Sequence, residues 1–166
     1  MSIEEYKKLI TKEVKPRTVC FLVKDGSVLL GMKKRGFGKG NFLGIGGKVE
    51  SNETIEEAAL RELREEIGTT ALNLWHTAVL NFYFPHMPDE SWNQQVHVFM
   101  VNRWTGEPVE TDEILPQWFQ IDKLPIDSMW DDAHYWLPEV LKGSKVVGDF
   151  LFNDQFMVID KTINSL

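Results

Sequence analysis

A mixed α/β fold, one sheet with helices on both of its faces, is what the sequence predicts, and three features carry that expectation. Short β-rich runs recur along the chain, broken by only two convincing helical stretches. One of these, Thr54–Ile67, repeats Ile55, Ala59, Leu63 and Ile67 every four positions, the buried stripe of an amphipathic helix. The chain has 166 residues, enough for a single domain with a sizeable core, and it shows no repeat, low-complexity tract or linker.

Taken in order, residues 3–13 read as a short amphipathic helix with Ile3, Tyr6, Leu9 and Ile10 on one side. We treat residues 1–15 as a helical extension, an accessory or loosely ordered end, and 16–166 as the domain proper. Pro16 separates the two. Arg17–Lys24 and Val28–Met32 then form a hairpin around Asp25-Gly26. Residues 33–50 form a loop with glycines at 36, 38, 40, 44, 46 and 47, suited to close backbone approach around a ligand. Lys33, Lys34, Arg35, Lys39 and Lys48 give it positive charge, which suits either phosphate or solvent. Beyond the helix, Leu72–Phe84 supplies one or two strands, 85–93 a loop, and Gln94–Trp104 an alternating strand. Glu107–Leu115 is acidic, and Gln117–Ile121 is a short strand. The second half of Asp127–Leu141 is helical and ends near Gly143. Val146–Phe152 and Phe156–Asp160 close the chain as a hairpin around Asn153-Asp154.

The helix at 54–67 is the most informative stretch. Thr54 and Glu57 have capping-box spacing, and Gly68 follows at the usual left-handed terminator position. Glu62, Glu65 and Glu66 stand at i, i+3 and i+4 and share a face. Glu62 and Glu66 fall beside the apolar stripe, whereas Glu57 and Arg64 lie on the far side. Carboxylates crowded at the rim of a buried face repel one another and lose hydration. They form either a solvated acidic face or a set of oxygen donors for a hard cation such as Mg²⁺ or Mn²⁺.

Composition narrows the partners. The formal net charge of -7 argues against a nucleic acid polymer or an anionic membrane, but not against one nucleotide bound through a metal. No apolar run approaches a membrane span. Cys20, the only cysteine, sits in an apolar run, so a reducing cytoplasm is the simplest location. His76, His86, His97 and His134 lack metal-ligand spacing and are expected to be structural or surface residues.

Gly47, five residues, Glu53, seven residues and the run Arg61-Glu62-Leu63-Arg64-Glu65-Glu66-Ile67-Gly68 resemble the Nudix box, G-x5-E-x7-R-E-U-x-E-E-x-G-U. Only the last position departs, where Thr69 replaces a bulky aliphatic residue. GMKKRGF at 31–37, GGKV at 46–49, VHVF at 96–99, GEPVETDEILPQWFQID at 106–122 and the MW, DD and YW pairs within 129–136 are similar to the MutT-related oxidised purine nucleoside triphosphatases, the 8-oxo-dGTP diphosphatase-like branch. The similarity runs from Thr18 to the end and implies a Nudix α/β/α sandwich with a mixed sheet.

That resemblance implies Mg²⁺-dependent hydrolysis of a purine nucleoside triphosphate to the monophosphate and pyrophosphate. It implies metal ligation by Glu62, Glu65, Glu66, the carbonyl of Gly46 and a loop carboxylate, Glu113. Glu65, Glu66 and Glu113 are the candidate general bases, and Glu53 pairs with Arg61 to orient the helix. The base pocket carries over to Thr18, Lys33, Phe82, Phe84, Trp130, Asp132 and Trp136. Each aromatic residue there either stacks on a purine or packs the core. Asp132 either caps a helix or meets the base edge, with a raised pKa if Trp130 and Trp136 enclose it. Leu43 and Ala133 stand where the oxidised-purine enzymes carry an asparagine and an aspartate, which removes two base-edge partners and opens the preferred base. Hydrolysis of ADP-ribose or a dinucleoside polyphosphate, and nucleotide sensing without turnover, are the competing readings.

Overall fold

A computed structural model describes residues 1–166. Its elements are α1 (Ile3–Lys7), β1 (Lys15–Lys24), β2 (Ser27–Lys33), β3 (Phe42–Leu43), β4 (Ile45–Lys48), α2 (Ile55–Ile67), β5 (Thr70–Ala71), β6 (Trp75–Tyr83), β7 (Gln94–Val101), β8 (Trp104–Thr105), β9 (Ile114–Gln120), α3 (Ala133–Leu141), β10 (Val146–Phe152) and β11 (Val158–Ser165). The main sheet runs β11-β10-β6-β7-β1-β2-β3, with β4 added to β1 and β9 to β2. It is mixed, because β1 runs parallel to β7 and β10 parallel to β6 while the remaining pairs are antiparallel.

Strand β1 is the branch point. Its first half pairs with β4, from Arg17 opposite Lys48 to Cys20 opposite Ile45. Its end turns into β2 through Asp25-Gly26, both at positive φ, as the hairpin signal requires. Side chains alternate across this strand. Cys20 and Leu22 join Ala59, Leu63 and Ile67 of α2 in one core. Phe21, with Val19 at its margin, joins Trp136, Leu137 and Val140 of α3 in the other. The sheet is therefore covered on both faces, an α/β/α sandwich.

Helix α2 begins as expected, with the Thr54 hydroxyl accepting from Glu57 N at 3.1 Å, although only this half of the capping box forms. It ends at Gly68, φ 69°, where Gly68 N bonds Arg64 O and Thr69 N bonds Leu63 O.

Several expectations need correction. The first helix stops at Lys7 instead of reaching residue 13, because the chain beyond is held by bonds to a distant loop. It is not a loose end: Ile3 and Tyr6 are buried against Tyr83 and Leu151. The glycine-rich stretch contains β3, only two residues long, and β4, where Gly46 and Gly47 hide the usual alternation. The strand expected at 117–121 starts at Ile114, and the closing strand spans Val158–Ser165 rather than 156–160. Residues 94–104 divide into β7 and the short β8.

Leu63, fully buried between α2 and the sheet, tests this packing. Leu63→Ala is expected to destabilise the fold by about 3 kcal/mol, read as a lower urea midpoint at unchanged slope.

Candidate active site

Two features adjoin across β1 and β4: an acidic face of α2 and an aromatic cavity. Arg61 organises the first. Its Nε and Nη2 bond both oxygens of Glu53 at 2.7 and 3.0 Å, and Nη1 reaches Glu62 at 2.9 Å and Glu65 at 3.1 Å. Nη2 also bonds the Lys48 carbonyl at 3.0 Å, tying α2 to the end of β4. The forked guanidinium holds Glu53 below the usual carboxylate range. In return, these carboxylates push the Arg61 pKa further up.

The three helix glutamates differ in environment. Glu65 is exposed, while the Glu62 side chain retains 13% of its surface. Burial raises Glu62 despite its contact with Arg61. Glu66 is pushed up to about 8, first by burial and then by the charges of Glu62 and Glu113, against a backbone hydrogen bond from Gly46. Glu113 itself lies on the loop before β9 and is paired with Arg35 at 3.1 Å. As they stand, no three of these carboxylates converge on one point. Arg61 draws Glu62 and Glu65 to itself, and Arg35 draws Glu113 away.

The donor set nevertheless fits a hard divalent cation. It offers carboxylate oxygens whose mutual repulsion a cation would relieve, and it is backed by a strand with no room for side chains. A Cβ on Gly47 would fall 2.5 Å from Glu62 Oε1. A larger residue there would displace the very carboxylate that faces the strand.

The cavity occupies about 670 Å³ between the two halves of the branched sheet. All eight residues expected at a base pocket line it: Thr18, Lys33, Leu43, Phe82, Phe84, Trp130, Asp132 and Trp136. Ala133 lines it as well, and so does Gly46. The Thr18 hydroxyl is buried with no hydrogen-bond partner. Trp136 belongs also to the core, its ring tilted against Phe21 at 6.1 Å. Asp132 stands at the N-cap position of α3, but its side chain makes no capping hydrogen bond. Its Oδ2 instead accepts from Trp136 Nε1 at 2.7 Å, and burial at 7% exposure pushes its pKa up to about 6.

Wall residues that escaped sequence reasoning include Phe37, Trp92, Asn93 and Phe156. Phe37 stacks on Trp130 at 5.3 Å and meets Trp92 edge-on at 5.2 Å and Phe156 at 5.1 Å. The loop carrying Phe37 packs so closely that a Cβ on Gly38, φ 83°, would lie 2.9 Å from the Trp130 ring. All four come from loops or their margins, where no periodicity distinguishes a wall residue from a solvated one. The clue available was the aromatic between two glycines at 36–38. His76 and His97 pair with each other at 3.1 Å outside the cavity.

A twisted α/β/α sandwich with an acid-lined helix beside an aromatic cavity is the build of a nucleotide-handling hydrolase. The model of the NUDIX domain matches residues 14–140, and the chain belongs to the Nudix family. Nudix hydrolases in general require a divalent metal. The chain is 42% identical over 149 residues to the oxidized purine nucleoside triphosphate hydrolase of Danio rerio, covering 90% of this chain and 94% of that protein. It is 40% identical over the same length to the protein of that name from Mus musculus, again covering 90% and 94%. Among solved structures, the mutator MutT protein of Bacillus halodurans superposes with a TM-score of 0.77 at 23% identity, covering 91% of this chain and 98% of that one, a likeness of fold. No helix is long and apolar enough to cross a membrane.

Asp132 generates a stability test. Its folded pKa, about 6, lies above its ordinary 3.8, so the folded state holds the proton more tightly. Its contribution is therefore present below pH 4 and lost as pH rises towards 6, by up to about 3 kcal/mol. Asp132→Asn is expected to remove that decline, so that its stability relative to the unmodified protein rises between pH 4 and 7 in urea titrations.

Proposed function

We propose that the chain is a Mg²⁺-dependent pyrophosphohydrolase that cleaves purine nucleoside triphosphates, modified purines preferred, to the monophosphate and pyrophosphate, and so cleans the nucleotide pool. The observation that carries this reading is an aromatic cavity with one buried carboxylate, Asp132, opening beside the glutamate face of α2. The 40–42% identity to oxidised-purine triphosphate hydrolases over nearly the whole chain supports it.

In this reading Glu62, Glu65, Glu66, Glu113 and the Gly46 carbonyl would hold Mg²⁺, with Mn²⁺ as a substitute. Bound there, the cation would supply charge neutralisation for the phosphates and a lowered pKa for a coordinated water, easing its deprotonation. Glu53 keeps Arg61 in place through its two-pronged contact, and Arg61 sets the separation of Glu62 and Glu65. Glu65, Glu66 or Glu113 accepts the proton of the attacking water. Trp130, Phe82, Phe84 and Trp136 receive the purine, and Lys33, on the cavity wall, meets phosphate or the base. Thr18 and Leu43 complete the wall. Asp132, charged above about pH 6 and protonated below, accepts from or donates to the base edge. Leu43 and Ala133 offer no polar partner, so a base with fewer polar demands at that edge is favoured.

We assign residues 16–166 as the catalytic domain and 1–15 as an appendage. A single buried thiol and a net charge of -7 support a cytoplasmic protein that handles free nucleotides rather than nucleic acid or membrane.

The test is pyrophosphate release with Mg²⁺ from dGTP, 8-oxo-dGTP, 2-hydroxy-dATP, N6-methyl-dATP, O6-methyl-dGTP, ADP-ribose and diadenosine polyphosphates. A modified purine triphosphate is expected to exceed dGTP in kcat/KM by about tenfold or more, about 1.4 kcal/mol. Turnover of ADP-ribose or the dinucleotides alone overturns the substrate, and binding without turnover overturns catalysis. Glu66→Gln is expected to lower kcat by about 100-fold or more, and near-normal Mg²⁺-dependent turnover would sink its assignment.

A further inference from the structure

The N-terminal segment makes a set of contacts that neither the acidic helix nor the family match accounts for. The family model begins at residue 14, yet residues 2–12 reach the cavity wall. Helix α1 is anchored first. Ser2 and Glu5 form a complete capping box, Ile3 N bonds Asp160 at 2.9 Å, and Lys7 pairs with Asp149 at 2.7 Å. Ile3 and Tyr6 are buried, and the Tyr6 ring meets Tyr83 edge-on at 5.9 Å.

From this anchored base the segment grips the 85–93 loop at two points. The Tyr6 hydroxyl accepts from Asn93 Nδ2 at 3.0 Å, while Asn93 Oδ1 accepts from Phe84 N at 2.9 Å. Asn93 is 3% exposed and lines the cavity. Further along, Thr11 donates to Glu90 twice, from its backbone N at 2.7 Å and its hydroxyl at 2.6 Å, and Lys12 N adds a third bond at 3.4 Å. Lys12 also pairs with Asp89 at 3.7 Å. Between the two grips stands Trp92, the edge-on neighbour of Phe37 and Phe84 in the cavity wall. The loop's remaining hydrogen bonds are short-range turns such as Trp92 N to Asp89 O and Asn93 N to Glu90 O.

We propose that residues 2–12 are a strut that holds Trp92 and Asn93 in the wall of the base cavity, with Tyr6 and Thr11 as positioning residues for substrate selection. This rests on the reading of the cavity as a purine site. The glutamates of α2 lie on the opposite face of the sheet and make no contact with the strut, so its loss acts on base recognition and leaves the hydrolytic step intact. An aromatic wall discriminates between bases only when its rings are held at fixed separation.

Two variants test the strut. Tyr6→Phe removes one hydroxyl and keeps the ring packing, and Tyr6→Phe with Glu90→Ala removes the hydrogen bonds of both grips, leaving the exposed Lys12–Asp89 pair. Amide exchange at 85–93 is expected to accelerate about tenfold in the double variant, with residues 55–67 unchanged. With the purine triphosphate that the unmodified protein prefers, KM is expected to rise about fivefold or more while kcat stays within about twofold. Discrimination between that substrate and dGTP in kcat/KM is expected to fall about threefold or more. Unchanged exchange at 85–93 overturns the strut, and so does faster exchange with unchanged KM and discrimination, or a fall in kcat at constant KM. Failure of the purine reading shows separately, as an unmodified protein that hydrolyses no purine triphosphate; the exchange and KM comparison is then made on the nucleotide it does hydrolyse.

Discussion

Strand β4 has to pass between β1 and α2, and the site depends on that close approach. A Cβ on Gly46 would lie 1.8 Å from the Thr18 carbonyl oxygen, and one on Gly47 2.5 Å from Glu62. Two consecutive residues without side chains let the backbone run against the neighbouring strand on one side and a carboxylate on the other. The Gly46 backbone and the glutamates of α2 are thereby brought together. A larger residue at Gly46 would run into the Thr18 backbone of β1, and one at Gly47 would displace the Glu62 carboxylate.

Arg61 holds the same junction electrostatically. Its side chain keeps 19% of its surface, and Glu53 and Glu62 keep 13% each, so these charges are poorly hydrated. Loss of Arg61 would leave Glu53 and Glu62 without the cation that both contact. The planar fork suits this role, since it satisfies both oxygens of Glu53 and still reaches Glu62, Glu65 and the Lys48 carbonyl. Glu66 stands outside this set and carries the repulsion that the arginine does not relieve.

On the other side of the sheet the physics changes from charge to ring packing. Phe37, Trp92, Trp130 and Phe156 contact one another across the cavity, although they come from well-separated loops. Phe156 sits at φ 58°, a conformation that costs energy for a residue with a side chain, held here among five aromatic neighbours. Asp132 is the one buried carboxylate among these walls, and Trp136 already occupies one of its oxygens.

The chain by itself determined what depends on short spacing. The cap, stripe and terminator of α2, the shared face of Glu62, Glu65 and Glu66, and the Asp25-Gly26 hairpin are local regularities set by helical and strand periods. The box from Gly47 to Gly68 was legible for the same reason, and the family followed from it. Only the tertiary structure decided what depends on distant segments meeting. Strand β3 was hidden by its length of two residues and β4 by Gly46 and Gly47, which carry no alternation; their register comes from β2 and β1. Asp132, read as a helix cap or a base-edge partner, stands at the N-cap position while its carboxylate accepts from Trp136. Trp92 and Phe156 became wall residues through loop packing, and Tyr6 reached Asn93 across 87 positions. Such contacts leave no period in the sequence, since they are set by the folded surfaces that bring the residues together.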